Sequence, residues 1–212
     1  MSIADPAAYD SWYNTPRGRW IGACEYRLLR NLLLAEAGAS LLNIGCGTGY
    51  FSRRFSQRGL SVTGIDSDLA TLEFAQSQRG NIHYLQGDAL ALPFPDDAFA
   101  MAVTSLRFVD DPLPALREMW RVTRHALVLG LLNRHSLLYR RKQGQGGYAG
   151  ARRDTADKVL DAWVPRLSPS PGTVELRSAV FLPRGTGMAK RVEHWLPDTL
   201  RLGGFLAVGL RK

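Results

Sequence analysis

Residues 41–51 read LLNIGCGTGYF, and this stretch decides the fold. Four apolar or small residues lead into Gly45, Gly47 and Gly49, and a helix-compatible run follows. The pattern predicts a buried strand, a tight glycine turn and a helix entered at its N-terminus. Glycines there allow positive φ and let a ligand approach the main chain closely. Helix-entry amides and the positive end of the helix dipole favour anionic groups. The turn therefore reads as a cradle for a small molecule.

Working outward, apolar residues repeat at helical spacing over 18–37, after a Thr15–Pro16 entry and before Gly38. Tyr9, Trp12 and Tyr13 precede that helix and read as cover for a cleft or as anchors of the N-terminal segment. Beyond the glycine turn, short apolar strands are expected at 60–65, ending at Asp66, at 82–85, closing on Gly87–Asp88, at 99–106 and at 125–132. Helices are expected to about 58, over 68–78 and from Asp111–Pro112 onward. The prolines and acids of 93–97 demand a turn. Past 132 the chain is polar, basic and glycine-rich to 153. Asp154 reads as the N-cap of a helix to about 163, and a proline–serine linker follows over 165–171. Strands over 173–182 and 205–210 complete the pattern and are expected to pair antiparallel. Strands alternating with helices imply an α/β, Rossmann-like doubly wound sheet of about seven strands, mostly parallel, with helices on both faces. One domain over 1–212 is expected, with 1–38 as an N-terminal cap segment and helix and 133–172 as a substrate-side insertion.

Composition narrows the class. Of 212 residues, 45% are hydrophobic and 22% charged, which suits a globular protein. No apolar run approaches the ~20 residues that cross a bilayer, so membrane insertion is not expected. The first residues lack the basic and apolar regions of a signal peptide, and cytoplasmic residence is the expectation. Cys24 and Cys46 form no CxxC pair, which argues against a cysteine zinc site, and no metal is expected. The net charge of +8 is concentrated around Arg140, Arg141, Lys142, Arg152 and Arg153, a loop that reads as solvated or facing substrate.

The glycine turn by itself fits two cofactor classes. A dinucleotide site would show GxGxxG with an acid about 20 positions on; here the pattern is GxGxG, and Tyr50 holds the place of the third dinucleotide glycine. Asp66 suits a ribose diol, because a carboxylate accepts from both hydroxyls; its alternative role is capping the next helix. The later run GDALALPFPDDAFAMAVTSLRFVDDP, together with LREMWRV, separates the classes. With these pieces the chain resembles the class I S-adenosylmethionine-dependent methyltransferases, in the small-molecule branch called methyltransferase type 11. The resemblance implies S-adenosylmethionine as cofactor and S-adenosylhomocysteine as product. It places Gly45, Cys46, Gly47 and Gly49 against the methionine part, Asp66 on the ribose and Ser67 beside the adenine. Asp88 would accept from the adenine amino group, the Ala89 amide would meet a ring nitrogen, and Leu106 would line the cleft. Where the family usually has a Pro-Gly-Gly turn, Thr123-Arg124-His125 stands here, and a tighter connection into the fifth strand is expected.

Methyl transfer from a sulfonium needs no protonation of the leaving group, so positioning and desolvation can carry it. His135 is the base candidate if the acceptor must lose a proton. Tyr13, Arg107, Asn133, Tyr139 and Tyr148 are candidate acceptor contacts. A small-molecule acceptor is favoured over nucleic acid, because Ser105-Leu106-Arg107-Phe108 stands where base methylases carry an Asn/Asp-Pro-Pro-aromatic motif. The competing readings are a non-catalytic S-adenosylmethionine-binding partner or regulatory protein and, disfavoured by Tyr50, a nicotinamide-dependent dehydrogenase.

Overall fold

The computed structural model describes residues 5–96, 98–103, 106, 109, 111–136, 154–182 and 184–212, with 98–103 described as backbone alone. Strands β1 (Ser40–Ile44), β2 (Ser61–Asp66), β3 (His83–Gln86), β4 (Ala98–Val103), β5 (Thr123–Leu132), β6 (Thr173–Ala179) and β7 (Phe205–Arg211) form one sheet, in the order β3-β2-β1-β4-β5-β7-β6. The first five are parallel; β7 runs antiparallel to β5 and β6. The chain reverses strand order at β1, so the glycine turn leaves the sheet where open α/β sheets hold ligands.

Burial on both faces explains the continuous apolar strands. Ala126 and Val128 of β5 and Ala207 of β7 join one core cluster with α2 (Pro16–Leu33), Phe51 and Phe55. Leu127, Leu129 and Leu131, with Leu206, Val208 and Leu210, join the opposite cluster with Leu116, Met119 and Trp120 of α5 (Pro112–Arg121). Alternate residues of each strand thus feed opposite cores, as the period of two requires. Glu118 and Arg121 on α5 hold the proline-rich turn: Leu92 N donates to Glu118 Oε1 at 2.8 Å, and Arg121 donates to the Leu92 and Phe94 carbonyls. The Arg121 hydrogen bond holds the Glu118 carboxyl below its ordinary pKa.

Several boundaries differ from those the sequence predicts. The second helix starts at Pro16, where the Thr15 hydroxyl caps it, and stops at Leu33 because Leu34 turns left-handed; Gly38 serves the turn into β1. A helix α1 (Pro6–Trp12) precedes it, capped by Asp5, whose side chain accepts from Ala8 N. Helices α3 (Tyr50–Ser56) and α4 (Leu69–Ser77) are shorter than expected by a turn or less. The connection into β5 is as tight as predicted: the strand begins at Thr123, one residue past α5, and the Thr123 hydroxyl donates to Met119 O at 2.7 Å.

Asp154 is not a helix cap. Its backbone bridges to Asn133, and Thr155 Oγ1 accepts from Lys158 N ahead of a π-helical stretch at Lys158–Trp163. The linker after it is pinned to α5 by Trp120 Nε1, which donates to Pro169 O at 2.7 Å. Helix α6 (Gly187–Trp195), capped by Thr186, fills the connection between β6 and β7. Residues 137–153, including the basic loop, lie outside the described residues. No helix among the described residues is long and apolar enough to cross a membrane.

At the end of β6, Val180 has φ +65°, a strained value for a β-branched residue. Buried Glu193 of α6 holds it, accepting from Val180 N at 2.7 Å and Phe181 N at 2.9 Å. Glu193→Ala orphans both buried amides and should lower stability by roughly 2–6 kcal/mol in urea denaturation, given ~1–3 kcal/mol for each unsatisfied group. Glu193→Gln, which keeps one acceptor oxygen, should lose less.

Candidate functional site

The carboxyl ends of β1, β2 and β3 are tied together by backbone bonds. Cys46 N donates to Ile65 O at 3.0 Å, and Gly87 N donates to Asp66 O at 3.0 Å. Asp66 itself lies under the glycine turn: Oδ2 accepts from Gly47 N at 2.8 Å and Oδ1 from Asp68 N at 3.0 Å. Each carboxylate oxygen keeps a lone pair for a further donor. Capping of α4 falls to Asp68, whose Oδ1 accepts from Thr71 N at 3.1 Å. Of the two roles weighed for Asp66, helix capping is therefore taken by its neighbour Asp68.

Gly45, Gly47 and Gly49 take φ values of +65°, +54° and +77°, so the turn needs residues free of the left-handed penalty. Gly49 faces a second constraint: a Cβ there would collide with the Tyr84 hydroxyl. Tyr84 is buried with Cys46, Leu72 and Ala75, and burial pushes its phenol up to about 12. The third glycine is thus required by packing behind the turn. Cys46 is buried as well, and desolvation, then the neighbouring Asp66 charge, push its thiol far above the ordinary range. Burial pushes Cys24 up to about 12.

Toward β3, Asp88 is exposed and steadies its own loop, Oδ1 accepting from Leu90 N at 2.9 Å. Ala89 is half-buried against the core, and Ser67 is exposed, with its carbonyl accepting from Gln86 Nε2 at 3.2 Å. The ends of β1, β2 and β3 therefore gather Gly45, Cys46, Gly47, Gly49, Asp66, Ser67, Asp88 and Ala89 on one rim. Leu106 departs from expectation. It is 1% exposed and packed among Ile44, Ile65 and Leu92 in the core, so its side chain presents no surface to a cleft.

The N-terminal segment closes on this rim through a residue that the sequence does not flag. Arg53 of α3 donates from Nη1 to Thr48 O at 2.6 Å and from Nη2 to Asp10 Oδ1 at 2.7 Å. One guanidinium joins the glycine turn to α1. Arg53 stands four residues past Gly49, but its partner is 43 positions away, which no local pattern reveals.

The candidate acceptor contacts separate in the same way. Tyr13 is buried and stacked on Tyr50, centroids 3.6 Å apart at 12°, which makes it an anchor of the N-terminal segment. Asn133 is 2% exposed with its amide committed: Nδ2 donates to Arg201 O and Gly203 O, and Oδ1 accepts from His135 N. It ties the end of β5 to the loop before β7, and its buried side chain is not available to an acceptor. His135 is exposed just beyond β5. Arg107, Tyr139 and Tyr148 lie outside the described residues.

A glycine turn at the strand-order switch, an acid under it and a second acid at the end of β3 define a class: doubly wound α/β proteins that bind a nucleoside-bearing cofactor. Comparison with known proteins narrows this. The family described as "Methyltransferase domain", type 11, matches residues 42–127. A malonyl-[acyl-carrier protein] O-methyltransferase of Serratia marcescens is 43% identical over 92 residues, covering 42% of this chain and 36% of that protein. An uncharacterized protein of Mycobacterium bovis is 34% identical over 215 residues, covering 96% of this chain and 71% of its own length. Among solved structures, a SAM-dependent methyltransferase of Thermotoga maritima superposes with a TM-score of 0.75 at 23% identity, covering 97% of this chain and 94% of that one. The chain belongs to the class I S-adenosylmethionine-dependent methyltransferase family, type 11 branch. It spans 36–42% of the length of the first six curated relatives it matches.

Two outcomes follow from the site's packing. Gly49→Ala should destabilise the fold through both φ and the Tyr84 clash, and Tyr84→Phe in the same chain should recover the clash but leave the ~1–2 kcal/mol left-handed cost. Thermal unfolding of the single and double variants measures both contributions. With raised thiol pKa values, Cys24 and Cys46 should resist iodoacetamide at pH 8 in the folded protein and react on unfolding, as read by mass spectrometry.

Proposed function

We propose that the protein transfers a methyl group from S-adenosylmethionine to a small-molecule acceptor, within one domain over 1–212. The observation that carries this reading is the Asp66 carboxylate, held by the Gly47 and Asp68 amides with a lone pair left on each oxygen. That pair of acceptors fits the two hydroxyls of a ribose diol. The Gly45–Gly49 turn is the place for the amino-acid part. Asp88, exposed at the next strand end, accepts from the adenine amino group, and the Ala89 amide meets the ring.

When bound, S-adenosylmethionine supplies an electrophilic methyl on a sulfonium, whose departure leaves a neutral thioether. The chain's part is positioning and exclusion of water, worth most where the acceptor is already nucleophilic. Arg53 and the Tyr13–Tyr50 stack hold the N-terminal cap segment, at Asp10 and Tyr13, against the turn. His135 serves as the base for an acceptor that must lose a proton. Residues 133–172 form the acceptor side, beyond the 42–127 span that the family match covers.

Calorimetry with S-adenosylmethionine and S-adenosylhomocysteine tests the reading. Asp66→Ala should weaken both by about 10- to 100-fold, the loss of a charged hydrogen-bonded contact. Because Asp66 also holds the turn, exposed Asp88→Ala, which gives up a local bond to Leu90 N, provides a second variant, and thermal unfolding checks that its fold is kept. Absence of binding by either ligand at millimolar concentration rejects the proposal. Binding without formation of S-adenosylhomocysteine from a metabolite pool favours the non-catalytic alternative.

A further inference from the structure

Eight large apolar side chains are exposed among the described residues, and four of them lie between β6 and β7: Met188, Trp195, Leu200 and Leu202. Trp195 is 83% exposed and Met188 71%. Seven positions apart on α6, they lie on one side of the helix with Arg191, while Ala189 and Glu193 are buried on the other. Leu200 and Leu202 belong to the loop that follows.

Helix and loop are fixed to one place on the fold. Glu193 ties α6 to Val180 and Phe181 at the end of β6. The loop is bound by Ser178, whose N donates to Asp198 O at 2.6 Å and whose hydroxyl bonds to Leu200 O and Gly203 N, and by Asn133 from the end of β5. Because β6 runs parallel to β1–β5, this cluster stands on the same end of the sheet as the glycine turn. Four strand spacings of about 4.8 Å separate β1 from β6, on the order of 19 Å.

Charge on the segment is one-sided. Arg184, Lys190, Arg191 and Arg201 are exposed. Its two acids are engaged: Glu193 is buried on backbone amides, and Asp198 pairs with Arg177 at 3.4 Å. Arg201 also meets Asp157 at 3.4 Å.

We propose that α6 and the 198–202 loop dock on an anionic lipid surface, with Trp195, Met188, Leu200 and Leu202 entering the headgroup boundary and the surrounding cations facing lipid phosphates. Tryptophan and aliphatic side chains beside Lys and Arg are what an interfacial contact requires. Protruding side chains on a helix suit a deformable medium, and aliphatic Met and Leu offer no stacking face to a nucleic-acid base. The contact is peripheral and turns the carboxyl end of the sheet toward the lipid. Such docking goes beyond the transferase reading and does not depend on it.

Sedimentation of the full chain with vesicles of phosphatidylcholine, alone or mixed with phosphatidylglycerol, tests the proposal. Binding is expected to the anionic vesicles only and to fall with salt. The double variant Lys190→Glu/Arg191→Glu should weaken it on the order of tenfold to a hundredfold, at about 1 kcal/mol for each cation lost and more for reversal. Brominated phosphatidylcholine chains in the same vesicles should quench the wild-type fluorescence. Trp195→Phe should keep binding while losing most of that quenching, since Trp195 is the exposed tryptophan among the described residues. No sedimentation, equal binding to neutral vesicles, or quenching undiminished in Trp195→Phe would overturn the proposal. So would a dimer in light scattering that Trp195→Ser disperses, which would assign the face to a second copy of the chain.

Discussion

One carboxylate organises the ligand end of this protein. Asp66, at the last position of β2, accepts an amide from the β1 glycine turn and another from the entry to α4. Its own carbonyl takes the Gly87 amide from the end of β3. Three chain segments that leave neighbouring strands in different directions are thereby held at hydrogen-bond distance of one residue. The turn cannot open without breaking a charge-assisted bond, of the stronger sort among protein hydrogen bonds. A ligand that engages Asp66 meets a carboxylate already oriented, so little further ordering is required of it.

The layers behind that rim keep it rigid. Alternate residues of β5 and β7 are buried in cores on opposite faces, so the central strands have no free side. Tyr84 fills the space behind the turn so closely that only glycine fits at Gly49. In front, Arg53 links the Thr48 carbonyl to Asp10, and the Tyr13–Tyr50 stack secures the N-terminal segment beside it. Asn133 and Glu193 perform the corresponding work at the far edge, fixing the β6–β7 connection to the ends of β5 and β6. Polar side chains that resemble site residues in the sequence are here spent on holding loops.

Sequence reasoning reached the strands and the rim at their carboxyl ends because both are written in local, periodic signals. Apolar runs bounded by Gly and Asp marked β1, β2 and β3, and the glycine spacing with Asp66 and Asp88 marked the rim that joins their ends. It went further astray with distance from that rim. Asp154 looked like a helix cap because Asp is a common one, yet its backbone is drawn into a bridge with Asn133. Leu106 was carried over from a family pattern by position and is packed into the core. Helices α1 and α6 carried readable caps, Asp5–Pro6 and Thr186, but both are short and weakly apolar.

The succession of strands along the chain and the acids at the ends of β2 and β3 were legible in the sequence alone, since each depends on residues within a few positions of one another; the switch at β1 came from strand pairing across the fold. What each polar side chain does was decided by the tertiary structure. Asn133 and Tyr13 were open to an acceptor on paper; the first binds carbonyls about 70 residues away, and the second stacks on a ring 37 positions on. Hydrogen bonding and stacking saturate: once a buried group has found its partners, it has nothing left for a ligand. Which groups are saturated depends on contacts between distant parts of the chain, and only the folded arrangement contains them.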